Sequence, residues 1–197
     1  MLLLVRHAHA GDKHHWQGPD DLRPLSTAGQ VEAAGLVVRL EDYPIGRVLS
    51  SPTVRCQQTV APLAQDRHLP IEPIPALGVA ADLAVVLALL GDPRVQDAVV
   101  CTHGEMIGQV LVRLVADGLA VDQPLAWPKG STWLLDGADG RFRFGRYLPP
   151  LPLADALTLG SAPGGMPTNG FASPVAGQRG QAVGVDAAGG PDRAAAG

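Results

Sequence analysis

Short continuous apolar runs alternate with helical patterns along the first 148 residues. Leu2–Val5 is apolar throughout, as a strand buried on both faces requires. Thr27-Ala-Gly-Gln30 has the spacing of a capping box and opens a predicted helix reaching about Asp42. Arg47–Ser50 is a second predicted strand, and Ser51-Pro52 supply the N-cap and first-turn proline of a helix to about Arg67. A short strand over Ile71–Ile74 and a short helix over Asp82–Leu90, stopped by Gly91-Asp-Pro, come next. Ala98–Thr102 is the fourth strand, and Glu105–Val115 is an amphipathic helix. Ser131–Leu135 and Arg141–Arg146, joined by Asp136–Gly140, predict a hairpin. Strands alternating with helices specify an α/β fold. The expected form has three layers: a mostly parallel sheet, helices on both faces, and a C-terminal hairpin.

After residue 148 the pattern stops. Residues 149–197 are more than half Gly, Pro and Ala, with one aromatic residue, Phe171, and no lysine. Such a stretch buries too little apolar area to offset chain entropy, so it reads as a disordered tail behind a domain over residues 1–148. Net charge is -4 with a pI near 5.8, which gives no general electrostatic case for a nucleic acid polymer or an anionic membrane. An anion must be captured locally. Cys56 and Cys101 are too few for a disulfide framework, and Met1–Val5 is too short for a signal sequence or a membrane span. A cytoplasmic, soluble protein is the expectation.

Ligands of open α/β sheets sit beyond the carboxyl ends of the strands. Three of the predicted ends carry Arg6-His7, Arg55 and His103. Arg55 also falls in the first turn of its helix, where free N–H groups and the helix dipole favour an anion and disfavour an unanswered cation. Two arginines and two histidines converging on one edge suit a phosphoryl group, because the guanidinium fork pairs with phosphate oxygens and never deprotonates.

Val5-Arg6-His7-Ala8, Ser50-Ser-Pro-Thr-Val-Arg55 and Cys101-Thr-His103-Gly-Glu105, in that order, resemble the histidine phosphatase superfamily, also called the phosphoglycerate mutase-like group. Arg23-Pro-Leu25 with Gly29, and Arg55-Cys-Gln-Gln-Thr59, have the look of its SixA-type phosphohistidine phosphatase branch. Lys129-Gly-Ser-Thr-Trp133 is similar to the histidine phosphatase domain fused to MutT/Nudix hydrolases. The resemblance covers roughly residues 1–147. It implies that His7 is a nucleophile forming a phosphohistidine, and that Arg6, Arg55 and His103 bind the phosphoryl oxygens. It also implies a phosphorylated small molecule or a phosphohistidine protein as partner, and no metal or other cofactor. A phosphomutase, or a module that binds phosphorylated ligands without catalysis, are the competing readings.

Other residues are less determined. Lys13 and Arg23, on the loop from Ala8 to Pro24, are candidate phosphate contacts, although Arg23 could equally pair with Asp20 or Asp21. His9, His14 and His15 invite a metal reading, but no carboxylate or thiolate completes a set at zinc-like spacing. The superfamily's usual glutamate after the third strand is missing. Asp82 is the carboxylate in that stretch and Glu105 a second candidate acid; Asp82 could instead cap a helix, and Glu105 could simply favour a helix N-terminus.

Overall fold

A computed structural model describes residues 1–151, so the expected tail lies almost wholly outside the described residues. The predicted runs form β1 (Leu2–Arg6), β2 (Arg47–Ser50), β3 (Ile71–Pro73) and β4 (Ala98–Thr102), of which β1 and β4 are the most fully buried. Between and after them come α1 (Thr27–Arg39), α2 (Val54–Asp66), α3 (Leu83–Leu90) and α4 (Gly104–Ala116). A two-residue strand β5 (Ala120–Val121) and the hairpin β6 (Thr132–Ala138) and β7 (Arg141–Leu148) complete the set. The order across the sheet is β3-β2-β4-β1-β6-β7-β5. Every neighbouring pair is parallel except the two made by β6. The mostly parallel sheet and its hairpin are therefore as expected, with β5 added at the edge.

The alternation of β1 divides the core in two. Leu2 and Leu4 pack with Val86 and Leu90 of α3 and with Met106, Ile107, Val110 and Leu111 of α4. Leu3 and Val5 point the other way, onto Leu36 of α1 and Cys56, Val60 and Leu63 of α2. Side chains of a strand alternate faces, so one apolar run feeds both outer layers. The chain leaves β1 toward the α1 and α2 face and leaves β4 toward the α4 face, while β1 and β4 are sheet neighbours. That divergence opens a crevice at their carboxyl ends, the usual ligand position in such sheets.

Two predicted helix starts move. Ser26, not Thr27, is the N-cap of α1, its Oγ accepting from Gly29 N at 3.2 Å. Thr53, not Ser51, is the N-cap of α2. Ser51 is unavailable because its N–H donates to Cys101 O at 2.9 Å, continuing the β2–β4 pairing, and its Oγ turns to His103. Asp82 is the N-cap of α3. No helix among the described residues is long and apolar enough to cross a membrane.

Candidate active site

His7 follows β1 directly, and its N–H is held by Thr102 O of β4 at 3.1 Å. Its imidazole Nδ1 lies 2.8 Å from Ala8 O. A carbonyl can only accept, so Nδ1 carries the proton and Nε2 keeps its lone pair. Burial pushes the His7 pKa down to about 4; Arg55 and His103 add to the fall, and Cys56 and the Ala8 carbonyl oppose it. His7 is thus a neutral imidazole with one nitrogen free. The His103 ring lies edge-on to it, centroids 5.4 Å apart.

Arg6 crosses the start of α4. Its Nη1 donates to Trp127 O at 2.6 Å, and its buried Nε has no partner. A side chain at Gly104 would bring a Cβ within 2.6 Å of the Arg6 Cζ and Nε, so the glycine after His103 makes room for the guanidinium. Burial lowers the Arg6 pKa, and the Glu105 carboxylate opposes that shift.

Arg55 comes from the first turn of α2 and is 3% exposed, against 8% for His7 and 6% for His103. Its Nη2 lies 3.5 Å from His103 Nδ1. His103 is the N-cap of α4, and Ser51 Oγ is 3.0 Å from its Nε2. An arginine can only donate, so Nδ1 faces it as an acceptor and Nε2–H points to Ser51. Thr59 ties the two halves together: its Oγ1 accepts from Ala8 N at 2.9 Å and donates to Arg55 O at 2.7 Å. His7, Arg55 and His103 therefore meet at one rim, held by β1, α2 and α4, with the Arg6 guanidinium alongside at Gly104, the residue after His103.

The remaining candidates separate. Arg23 is buried, with Nε on Asp20 Oδ1 at 2.9 Å and Nη1 on Ala10 O at 2.7 Å, so the ion-pair reading describes it. Lys13 is exposed on the loop, its charge reaching Asp20. Asp82 is exposed, and its Oδ1 accepts from Ala84 N at 2.7 Å and Val85 N at 3.3 Å, which is the capping role. Glu105 is exposed in the first turn of α4 and acts on Arg6 by charge. His9 Nδ1 pairs with Ser26 Oγ at 2.7 Å, and His15 Nδ1 lies 3.0 Å from Asp12 Oδ2. Among the described residues no group of three or more His, Cys, Asp or Glu side chains is placed to hold a metal ion.

Asp20 is the residue that the sequence reading left outside the site. It lies in a 3₁₀ turn over Asp20–Leu22, and its Oδ2 sits 3.1 Å from Arg55 Nη2. Its backbone oxygen accepts from Arg55 Nη1. The signal for it was Arg55 itself, a cation in a helix's first turn that demanded a nearby anion.

Residues 2–78 match the family model described as "Histidine phosphatase superfamily (branch 1)". Over those residues the chain is similar to the histidine phosphatase superfamily. The chain is 32% identical over 156 residues to an 8-oxo-(d)GTP phosphatase of Mycolicibacterium smegmatis, an alignment covering 76% of this chain and 48% of that protein. The chain thus spans about half the length of that relative. Two solved structures share the histidine phosphatase fold. The protein histidine phosphatase SixA complexed with tungstate superposes with a TM-score of 0.62 at 23% identity, over 78% of this chain and 97% of that one. The alpha-ribazole phosphatase from Shigella flexneri gives 0.57 at 18% identity, over 72% and 93%.

Proposed function

We propose that this domain is a phosphatase that transfers a phosphoryl group to Nε2 of His7 and then to water. One observation supports this reading above the others. The His7 ring is buried neutral, its Nδ1–H is committed to Ala8 O, and its free nitrogen shares a rim with Arg6, Arg55 and His103. A module that merely binds phosphorylated ligands has no use for a tautomer-fixed nucleophile. A phosphomutase needs an acid for an alkoxide leaving group, and Asp82 is engaged as a cap.

In the first step Nε2 attacks phosphorus in line, the P–N bond forms, and the bond to the leaving group breaks with its electron pair. Arg6 and Arg55 neutralise the equatorial oxygens, the main service a protein renders in phosphoryl transfer. His103, its ring edge-on to His7, lines the pocket beside the same oxygens. In the second step water attacks the phosphohistidine, releasing phosphate and restoring His7.

The substrate class follows from the leaving group. An alkoxide needs a proton delivered in the transition state, an effect worth about 10²–10⁴-fold. Imidazole from phosphohistidine, or a nucleotide phosphate from an anhydride, needs far less help. A site without a dedicated acid therefore favours activated phosphoryl donors, the kind named for relatives that act on phosphohistidine or on 8-oxo-(d)GTP. The test is kcat/KM across aryl and alkyl phosphates of graded leaving-group pKa, with phosphohistidine and a nucleoside diphosphate alongside. A steep fall with rising pKa is expected. Sugar phosphates turning over as fast as the activated substrates would overturn the assignment.

A further inference from the structure

The carboxylate of Asp20 plays no part in the chemistry above, yet it touches the most deeply buried cation of the site. We propose that Asp20 is the positioning residue for Arg55, gripping the outer edge of the guanidinium so that its inner side meets the phosphoryl group. This deepens the phosphatase reading and rests on it.

The grip is made at two points by one residue. Arg55 Nη1 donates to the Asp20 backbone oxygen, and Nη2 reaches Asp20 Oδ2 at 3.1 Å. Fixing both terminal nitrogens sets the plane of the fork as well as its rotation, which a single contact does not. Each terminal nitrogen carries two hydrogens, so Asp20 leaves Nη2 able to face His103 Nδ1, 3.5 Å away. That is the side on which His7 lies, with its ring edge-on to His103.

Asp20 is itself held. Its Oδ1 accepts from Arg23 Nε at 2.9 Å, and Arg23 Nη1 donates to Ala10 O at 2.7 Å, three residues beyond His7. A continuous path of hydrogen bonds and chain therefore runs from the nucleophile's own loop through Arg23 and Asp20 to Arg55. It fixes the phosphate-binding arginine relative to the attacking nitrogen. A buried guanidinium without a paired anion is costly, and Asp20 supplies that anion while the site is empty. Burial alone would raise the Asp20 pKa, but the Arg23 hydrogen bond and the charges of Arg55, Arg23 and Lys13 outweigh it and keep the group ionised. An ionised carboxylate suits an anchor rather than a proton donor.

The experiment compares the full chain with Asp20→Ala and Asp20→Asn in three measurements. Calorimetric titration with tungstate reads the phosphate site without chemistry. The kcat/KM series on aryl phosphates reads catalysis, and thermal unfolding reports whether each variant is folded. Displacing a binding group by about an ångström costs on the order of 100-fold. Asp20→Ala is expected to weaken tungstate binding by about that factor and to lower kcat/KM equally for every leaving group, with Asp20→Asn between it and wild type. Should Asp20→Ala fail to fold, the near-isosteric Asn variant carries the test.

Unchanged tungstate affinity in a folded variant would overturn the proposal. So would tighter binding, which would make Asp20 a competitor of phosphate, or a loss that grows with leaving-group pKa, which would make it the acid. A wild-type chain that binds tungstate but hydrolyses nothing would defeat the phosphatase reading alone, leaving the tungstate comparison to judge Asp20.

Discussion

The loops that follow β1 and β3 each bring an aspartate to a short helical segment, and the two aspartates end in opposite roles. Asp82 precedes α3, a regular helix whose first N–H groups have no partners of their own, and those groups take its carboxylate. Asp20 opens a three-residue 3₁₀ turn after Pro19 and makes no side-chain capping bond there. Its carboxylate is therefore free to answer Arg55 and Arg23. A helix start consumes an acidic side chain unless stronger cations claim it. What decides the fate of a loop carboxylate is which unsatisfied donors lie within reach, more than its distance in sequence from a strand end.

The two loops also differ in how tightly they are locked. A Cβ at Gly29 would stand 1.9 Å from His9 O, where the loop after β1 crosses the start of α1. At Gly78, in the segment after β3, the nearest atom would be Pro75 O at 3.2 Å. Gly29→Ala is accordingly expected to cost about 3 kcal/mol of stability and to lower activity as the loop carrying Asp20 and Arg23 shifts. Gly78→Ala should cost less than about 1 kcal/mol. Equal urea midpoints for the two variants would show that the loops are equally adaptable and break the contrast.

A pH experiment sharpens the picture of the β1 side. The folded His7 pKa, about 4, lies below the ordinary 6.5, so between these values the unfolded chain binds a proton that the native state refuses. Stability must then fall as pH falls through that window, by roughly 3 kcal/mol from this residue. His7→Gln should flatten that part of the stability profile, and the acid limb of kcat/KM in wild type should lie near pH 4. An acid limb at the ordinary histidine value, with a His7→Gln profile parallel to wild type, would contradict a buried neutral nucleophile.

The smallest effects belong to the β3 side. Asp82→Ala should reduce stability by about 1 kcal/mol through loss of the cap. Activity on activated substrates should change by less than about tenfold. A thousandfold loss with stability intact would place Asp82 in the chemistry after all.

Legibility in the sequence followed the same physics. The central strands β1 and β4 were readable because each is a continuous run buried on both faces, while the exposed two-residue β5 left no such signal; His7 and His103 were readable because they follow those runs, and Arg55 because it follows β2. The helix starts at Ser26 and Thr53 were displaced from the expected Thr27 and Ser51 because neighbouring side chains with equal capping ability compete, and long-range partners decide between them. Ser51 was lost to Cys101 and His103, residues about 50 positions away. Asp20 was named in the sequence as a partner for Arg23, and that pair forms. Its second bond, to Arg55, spans 35 residues and depends on how the loop folds back over α2, which no local pattern encodes.

The most direct test of the account is to trap the covalent intermediate. The full chain would be mixed briefly with a radiolabelled acyl phosphate, quenched in alkali, digested, and its labelled peptide sequenced. A phosphoramidate on His7 is expected: label on the peptide containing that residue, stable in alkali, lost in acid, and absent from His7→Ala. Label that survives acid, or that maps to Ser51 or Cys56 beside the histidines, would contradict the assignment of His7 as the nucleophile.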